Sequence, residues 1–151
     1  MSAFKIPVSV LVVVHTPALD VLLLERASRP GFWQSVTGSI DREDEPLEST
    51  ALREVREETG IDAAAFPLSR WNVVNIFEIY PQWRHRYGPG VTRNTEHVFS
   101  LEVPGRLAVK VAPEEHLAHL WLPWREAAEK CFSWSNRDAI LALPQRARAP
   151  E

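Results

Sequence analysis

Between Ala51 and Gly60 the chain reads ALREVREETG, which places three glutamates and two arginines within ten residues. On a helix, at about 100° per residue, Glu54 and Glu58 lie one turn apart on the same face, with Glu57 beside them. Like charges at that spacing weaken an isolated helix. One reading is a solvated acidic face, on which Arg53, four residues before Glu57, offers an exposed ion pair. The position of the acids argues for another. Leu47, Ala51 and Val55 form an apolar stripe, and the acidic arc borders that stripe instead of opposing it. Carboxylates so placed are expected to be partly sunk. Converging, partly buried carboxylates need a cation, and ligation by oxygen alone selects a hard ion, Mg²⁺ or Mn²⁺.

The elements that must position these acids follow from the flanking sequence. A helix fits Pro46 to Thr59: proline suits the first turn, Asp44, Glu45 and Glu48 complement the positive end, and Gly60 is a good stop. Before it, Pro7 to His15 and Val21 to Arg26 read as strands around the turn TPALD, and Phe32 to Gly38 as a short strand or extended segment ending at glycine. After it, Val73 to Tyr80 and Glu96 to Val103 read as strands separated by the loop PQWRHRYGPGVTRN. LAVKV and HLWL give weaker strand signals. WREAAEKC and SNRDAILAL read as helices, the second opening with Ser135 and Asp138 at capping-box spacing, and the tail PQRARAPE is expected to fray. Strands and helices are interleaved, so the fold class is α/β, a mixed sheet covered by helices.

The helix belongs to a longer pattern. Gly38, Glu45, Arg53, Glu54, Val55, Glu57, Glu58, Gly60 and Ile61 closely resemble the box of the Nudix hydrolases: a glycine, a glutamate, then Arg-Glu-(apolar)-x-Glu-Glu-x-Gly-(apolar). PLESTAL separates Glu45 from Arg53 as that motif requires, whereas SIDRED makes the loop between Gly38 and Glu45 one residue longer than the family pattern. The resemblance implies the Nudix fold, a mixed β-sheet between α-helices. It also implies metal-dependent hydrolysis of a diphosphate linkage, with Mg²⁺ or Mn²⁺ as cofactor. It makes Glu54, Glu57 and Glu58 metal ligands and catalytic groups, and gives Gly38, Glu45 and Arg53 a supporting role, Arg53 pairing with Glu45.

Outside the box, FWQSVTGS, FEIYPQWRHRYGPGVTRNTEHVFSLEVP, EEHLAHLWL and SWSNRDAI resemble one bacterial branch of the family, the dihydroneopterin triphosphate diphosphatases, from about Lys5 to Ile140. That likeness implies release of pyrophosphate from 7,8-dihydroneopterin triphosphate, an early step of folate synthesis. It adds Glu115 as a metal ligand and implies that Lys5, Arg26, Thr37, Phe77, Glu78, Ile79, Tyr80, Trp134 and Ser135 bind substrate. Lys5 and Arg26 are cations suited to a triphosphate. Trp134 offers aromatic packing to a flat pterin, and Ser135 lies at a helix start, which favours anions. The basic loop, with Arg84, Arg86 and Arg93, is a further candidate for guiding phosphate.

Composition bounds the partners. One domain spanning 1–151 is expected, and a net charge of −3 gives no basic excess for long nucleic acid. The run Val8 to Val14 reads as a buried strand, not a signal peptide or membrane span. Cys131 is the single cysteine, which fits a reducing cytoplasm. His116 and His119 lack a convincing third zinc ligand. No feature marks a protein partner, so the expected partner is a small pterin triphosphate. Two rivals are a Nudix enzyme acting on other nucleoside triphosphates or dinucleoside polyphosphates, and a non-catalytic binding module, which would be expected to lose box carboxylates.

Overall fold

The computed structural model describes residues 4–148. Strand β1 (Val8–His15) is the centre of a seven-stranded mixed sheet. Around it are β2 (Asp20–Arg26), β3 (Trp33–Gln34), β4 (Val36–Ser39), β5 (Leu68–Glu78), β6 (Arg93–Glu102) and β7 (His116–Pro123). The order β3-β2-β1-β6-β5 carries β4 as a second neighbour of β1 and β7 as a second neighbour of β2. β1 runs parallel to β6, from Val8 opposite Thr95 to His15 opposite Glu102, and the other pairs are antiparallel. Val10 to Val14 are almost wholly buried, as expected of a central strand covered on both faces.

Helices supply the covers. On one face Val10, Val12, Val14, Phe99 and Leu101 pack with Ala51 and Val55 of α1 (Leu47–Thr59). On the other, Leu11, Val13 and Val98 pack with Ala127 and Ala128 of α2 (Trp124–Lys130) and with Ile140 and Leu143 of α3 (Trp134–Arg148). The sheet forks beside β1: β4 pairs along Ser9 to Val12, whereas β2 meets β1 only at His15.

Several sequence expectations are corrected. LAVKV is not a strand; Leu107, Val109 and Val111 pack onto the α1-side core, and Lys110 N–H donates to Thr59 O at 2.9 Å at the end of α1. Its alternation reflects packing on a helix end. β5 begins at Leu68, five residues before the expected Val73, because a register shift between Arg70 and Val74, with Asn72 at φ 57°, breaks the alternation. Ile79 and Tyr80 lie beyond its end. The cap of α3 is Ser133, whose Oγ accepts from Asn136 N–H at 3.3 Å, so Ser135 is not the capping residue. The expected frayed tail is helical as far as Arg148, with Pro144 inside the helix, and 149–151 lie outside the described residues.

The loop into α1 is closed by Arg53. Its Nε and Nη2 donate to both oxygens of Glu45 at 3.0 and 3.1 Å, Nη2 also to Ser39 O at 3.1 Å, and Nη1 to Glu54 at 2.9 Å. Glu45 in turn accepts from Asp41 N–H at 2.7 Å. The extra loop residue is absorbed in an exposed turn, in which Glu45 N–H donates to Arg42 O and Arg42 pairs with Asp44. The loop is longer, yet Glu45 reaches Arg53 unchanged. At the far end of α1, Gly60 takes φ 74°, a left-handed cap for which glycine has no steric cost.

The fork-shaped bond to Arg53 holds the Glu45 carboxyl down at about 2 against an ordinary 4.5. A depressed carboxyl contributes stability above its unfolded value and loses it as pH falls through the folded one. Glu45 is 6% exposed and Arg53 23%. Arg53→Ala is therefore expected to cost about 3 kcal/mol, a fall in Tm of roughly 6–12 °C by calorimetry. Glu45→Gln should flatten the acid limb of stability between about pH 4.5 and 2. An unaltered melting temperature in Arg53→Ala, or an unaltered acid limb in Glu45→Gln, would refute the clasp.

Candidate active site

A cavity of about 1160 Å³ opens where the sheet forks. One wall is acidic. Glu54 and Glu58, one turn apart on α1, act directly on each other, and both carboxyls lie above their ordinary value. Burial is the main cause for each; for Glu58 the bond to Glu54 and the charges of Glu54 and Glu115 push further the same way. Glu58 is buried, and its Oε1 has no hydrogen-bond partner. The nearest cationic candidate is His116 Nε2 at 3.7 Å, but burial, aided by Arg26, lowers that imidazole to about 4, so it is neutral at neutral pH. Two acids are thus packed together at a depth where neither keeps its charge cheaply.

Gly38 of β4 makes this packing possible. A Cβ at Gly38 would overlap the Glu54 carboxylate. Glycine is needed there for close approach, since its backbone is not in the left-handed region. An orphaned buried carboxylate oxygen, a shared carboxyl pair and an all-oxygen donor set fit a hard divalent cation. Glu115 also lines the cavity, beside Glu114, and its charge acts on Glu58. The donors are not already drawn together: among the described residues no three acidic, imidazole or thiol groups form a ready cluster.

The opposite wall is cationic and aromatic. Lys5, Arg26 and Arg86 line it close enough to repel one another. Arg26 donates to Gln34 Oε1 at 3.0 Å, and Gln34 donates on to Thr37 Oγ at 3.1 Å. The Arg26 guanidinium also lies 4.5 Å from the Trp83 ring centre. Trp83, Tyr80 and Phe132 form a ring cluster with centroids 5.2–6.3 Å apart.

All nine expected substrate residues, Lys5, Arg26, Thr37, Phe77, Glu78, Ile79, Tyr80, Trp134 and Ser135, line this cavity, as do Glu54, Glu58 and Glu115. Glu57 does not. It points outward, 56% exposed, and pairs with Arg53 at 3.3 Å, so the expectation that all three acids of the helix are sunk fails for this one. Trp134 is no core plug; it is 45% exposed at the cavity. Arg86 reaches the cavity as the basic loop's candidacy for guiding phosphate requires, whereas Trp83 and Phe132 were not singled out as site residues from sequence. Arg86 and Trp83 sit in a 3₁₀ segment, Pro81–Arg86, whose content reads simply as a basic loop. His116 is buried while His119 is exposed, three apart on β7, which separates them as metal partners.

Gly38→Ala tests the acidic wall. Glu54 is the flexible partner and must move, so the variant is expected to fold, but to bind Mg²⁺ or Mn²⁺ at least about tenfold more weakly by calorimetry, a loss of roughly 1.4 kcal/mol. Undiminished affinity would show that Glu54 is not held for a metal.

Comparison with known proteins agrees with this geometry. The NUDIX domain model matches residues 5–143. The dihydroneopterin triphosphate diphosphatase of Escherichia coli K12 is 46% identical over 140 residues, 91% of each chain. The Haemophilus influenzae protein of the same name is 38% identical over 143 residues, 93% of this chain and 89% of that one. The solved E. coli dihydroneopterin triphosphate pyrophosphohydrolase superposes with a TM-score of 0.86 over 92% of this chain and 95% of that one. A Caenorhabditis elegans Ap4A hydrolase, at 14% identity and a TM-score of 0.73, covering 94% and 98%, shares the fold. Enzymes of this family generally depend on a divalent metal, and no helix among the described residues is long and apolar enough to cross a membrane. With its box clasped by Arg53, Glu54 against Gly38 and most of its length matched by the family model and by a solved structure, the chain belongs to the Nudix hydrolase family.

Proposed function

We propose that this protein hydrolyses 7,8-dihydroneopterin triphosphate to dihydroneopterin monophosphate and pyrophosphate, with Mg²⁺ as the natural metal and Mn²⁺ able to replace it. One observation carries the reading. Paired buried acids and three cations face one cavity, an arrangement that accepts a metal-chelated polyphosphate and has little use for an uncharged ligand. The relatives with 46% and 38% identity carry the name of this activity, and they match over nearly their whole lengths.

In this mechanism Glu54, Glu58 and Glu115 hold the metal, and Arg53 keeps Glu54 in place through its 2.9 Å bond. The metal supplies charge neutralisation on the phosphates and acidifies water. Lys5, Arg26 and Arg86 bind the phosphate oxygens and oppose the charge that builds on the leaving pyrophosphate. The Gln34–Thr37 relay fixes the Arg26 guanidinium. Glu57, on the outer side of Arg53, steadies that arginine. The Tyr80–Trp83–Phe132 cluster and Trp134 offer aromatic surface to the pterin ring.

Pyrophosphate release should require a divalent cation and favour dihydroneopterin triphosphate over a panel of nucleoside triphosphates and dinucleoside polyphosphates. Preference for another substrate in the panel would replace the pterin reading, and no release from any would sink hydrolysis altogether. Running the reaction in ¹⁸O water also reports which product takes the oxygen.

Glu58→Gln keeps the shape and removes the charge. The variant should melt at or above the wild-type temperature without metal, lose the metal-induced rise in Tm, and fall at least about a hundredfold in kcat, or roughly 2.7 kcal/mol. A full metal-induced rise in the variant would remove Glu58 from the ligand set. Trp134→Ala removes an exposed ring, so stability should hold while kcat/KM for the pterin triphosphate drops by roughly tenfold, the worth of one aromatic contact. Equal loss on ordinary nucleoside triphosphates would show that the ring does not read the pterin.

A further inference from the structure

One buried acid has no role in the diphosphate chemistry. Glu96 of β6 is 3% exposed, yet it lines the cavity. It lies in register with Asn75 on β5 and Ser9 on β1, and Ser9 is in register with Ser39 on β4, giving a polar row across four strands. The same face of β1 and β6 carries Leu11, Val13 and Val98 further on, where α2 and α3 cover it. A sheet face that changes from apolar core to a row of Ser, Glu and Asn is built to meet a polar ligand, since unpaired polar groups inside a fold are costly.

The row is fixed by its neighbours. Asn75 Nδ2 donates to Glu96 Oε1 at 3.4 Å, and the Ser135 hydroxyl, in the first turn of α3 and 3.5 Å from Ser133 Oγ, lowers the Glu96 carboxyl against the effect of burial. Two residues earlier on the same face, Asn94 uses its Nδ2 on Ser9 Oγ at 2.7 Å, and its buried Oδ1 has no partner in the protein. The row therefore presents acceptors: a carboxylate and an amide oxygen. Burial raises the Glu96 carboxyl, a penalty that donors from a ligand would relieve. This end of the cavity offers no cation that the row itself holds, so it suits neither phosphate nor a metal-chelated group.

We propose that Glu96 is a specificity-determining residue, its carboxylate accepting from the adjacent ring N–H and exocyclic amino group of a 2-aminopyrimidin-4-one ring, with Asn75 and Ser135 orienting it. The ring class includes pterins and guanine and excludes adenine, cytosine, uracil and hypoxanthine, the last for want of the amino group. The inference rests on the pyrophosphohydrolase reading and deepens it by naming what the base must carry.

GTP and ITP differ only in that amino group, so their ratio of kcat/KM isolates it. The wild type should favour GTP by about 10–100-fold, the range of a hydrogen bond to a charged group. Glu96→Gln, nearly the same shape, should bring the ratio close to one, chiefly through the KM for GTP. A merely structural residue would lower both substrates and leave the ratio alone; that result overturns the proposal. So does a wild type that does not distinguish GTP from ITP, which keeps the test decisive even if the variant does not fold. Absence of metal-dependent pyrophosphate release from every triphosphate would instead be a failure of the underlying reading.

Discussion

Two glutamates one helical turn apart line the cavity side by side, Glu54 pressed against the backbone of Gly38 and Glu58 buried behind it. Most of the surrounding structure can be traced to keeping them there. Their repulsion would unwind an exposed helix or turn the side chains outward. Here α1 is anchored on its apolar stripe by Ala51 and Val55 in the sheet core, so the helix cannot rotate the acids away. Arg53 then joins three things with one guanidinium: the entry loop through Glu45, the end of β4 through Ser39 O, and the acid pair through Glu54. The result is an acidic wall on which Glu54 and Glu58 are held in place, although among the described residues no third donor is drawn in with them.

The forked sheet supplies the opposing wall. Because β4 pairs along the first half of β1 and β2 meets it only at the end, the two branches diverge and leave a cleft instead of a continuous surface. Arg26 at the end of β2 and Thr37 on β4 face each other across it, linked through Gln34. A flat, fully paired sheet would have had no room for both. The cleft continues over the β5–β6 side, where the polar row replaces the apolar face, so the proposed anion-binding and base-binding halves lie on different branches of one sheet.

How much of this could be read from the chain depends on the distance over which each feature is encoded. The register of α1 is local: helical spacing alone places Glu54 and Glu58 beside the stripe, and the structure keeps them there. The same periodicity could not say that Glu57 would be drawn outward by Arg53, because that depends on where Glu45 puts the guanidinium. Nothing local marks Arg26 and Lys5; only the family resemblance singles them out, and β1, β2 and the chain before β1 must fold together to bring them to one cavity. Trp83 and Phe132 lie 49 positions apart in sequence and meet only through tertiary packing. LAVKV failed for a related reason: alternation reports one buried side, and a helix end can bury it as well as a neighbouring strand. The shift of the α3 cap from Ser135 to Ser133 has functional weight, since it frees Ser135 for the cavity.

This difference in range bears on how such folds diversify. The Glu54–Glu58 pair and the clasp that holds it are written into one helix and one loop, with Glu115 joining from the residue before β7, so most of the acidic wall can be carried through large changes elsewhere. The half of the cavity proposed to bind the base draws on β5, β6, the 3₁₀ segment and the first turn of α3, which are joined only by tertiary contacts. Changes there leave the clasp and the carboxyl pair untouched. The C. elegans Ap4A hydrolase, at 14% identity, superposes on this chain with a TM-score of 0.73, so the frame persists when most side chains have been replaced. A frame that keeps its cation site through local encoding, and exposes its selectivity to long-range substitution, can exchange one leaving group or base for another without rebuilding the hydrolytic wall.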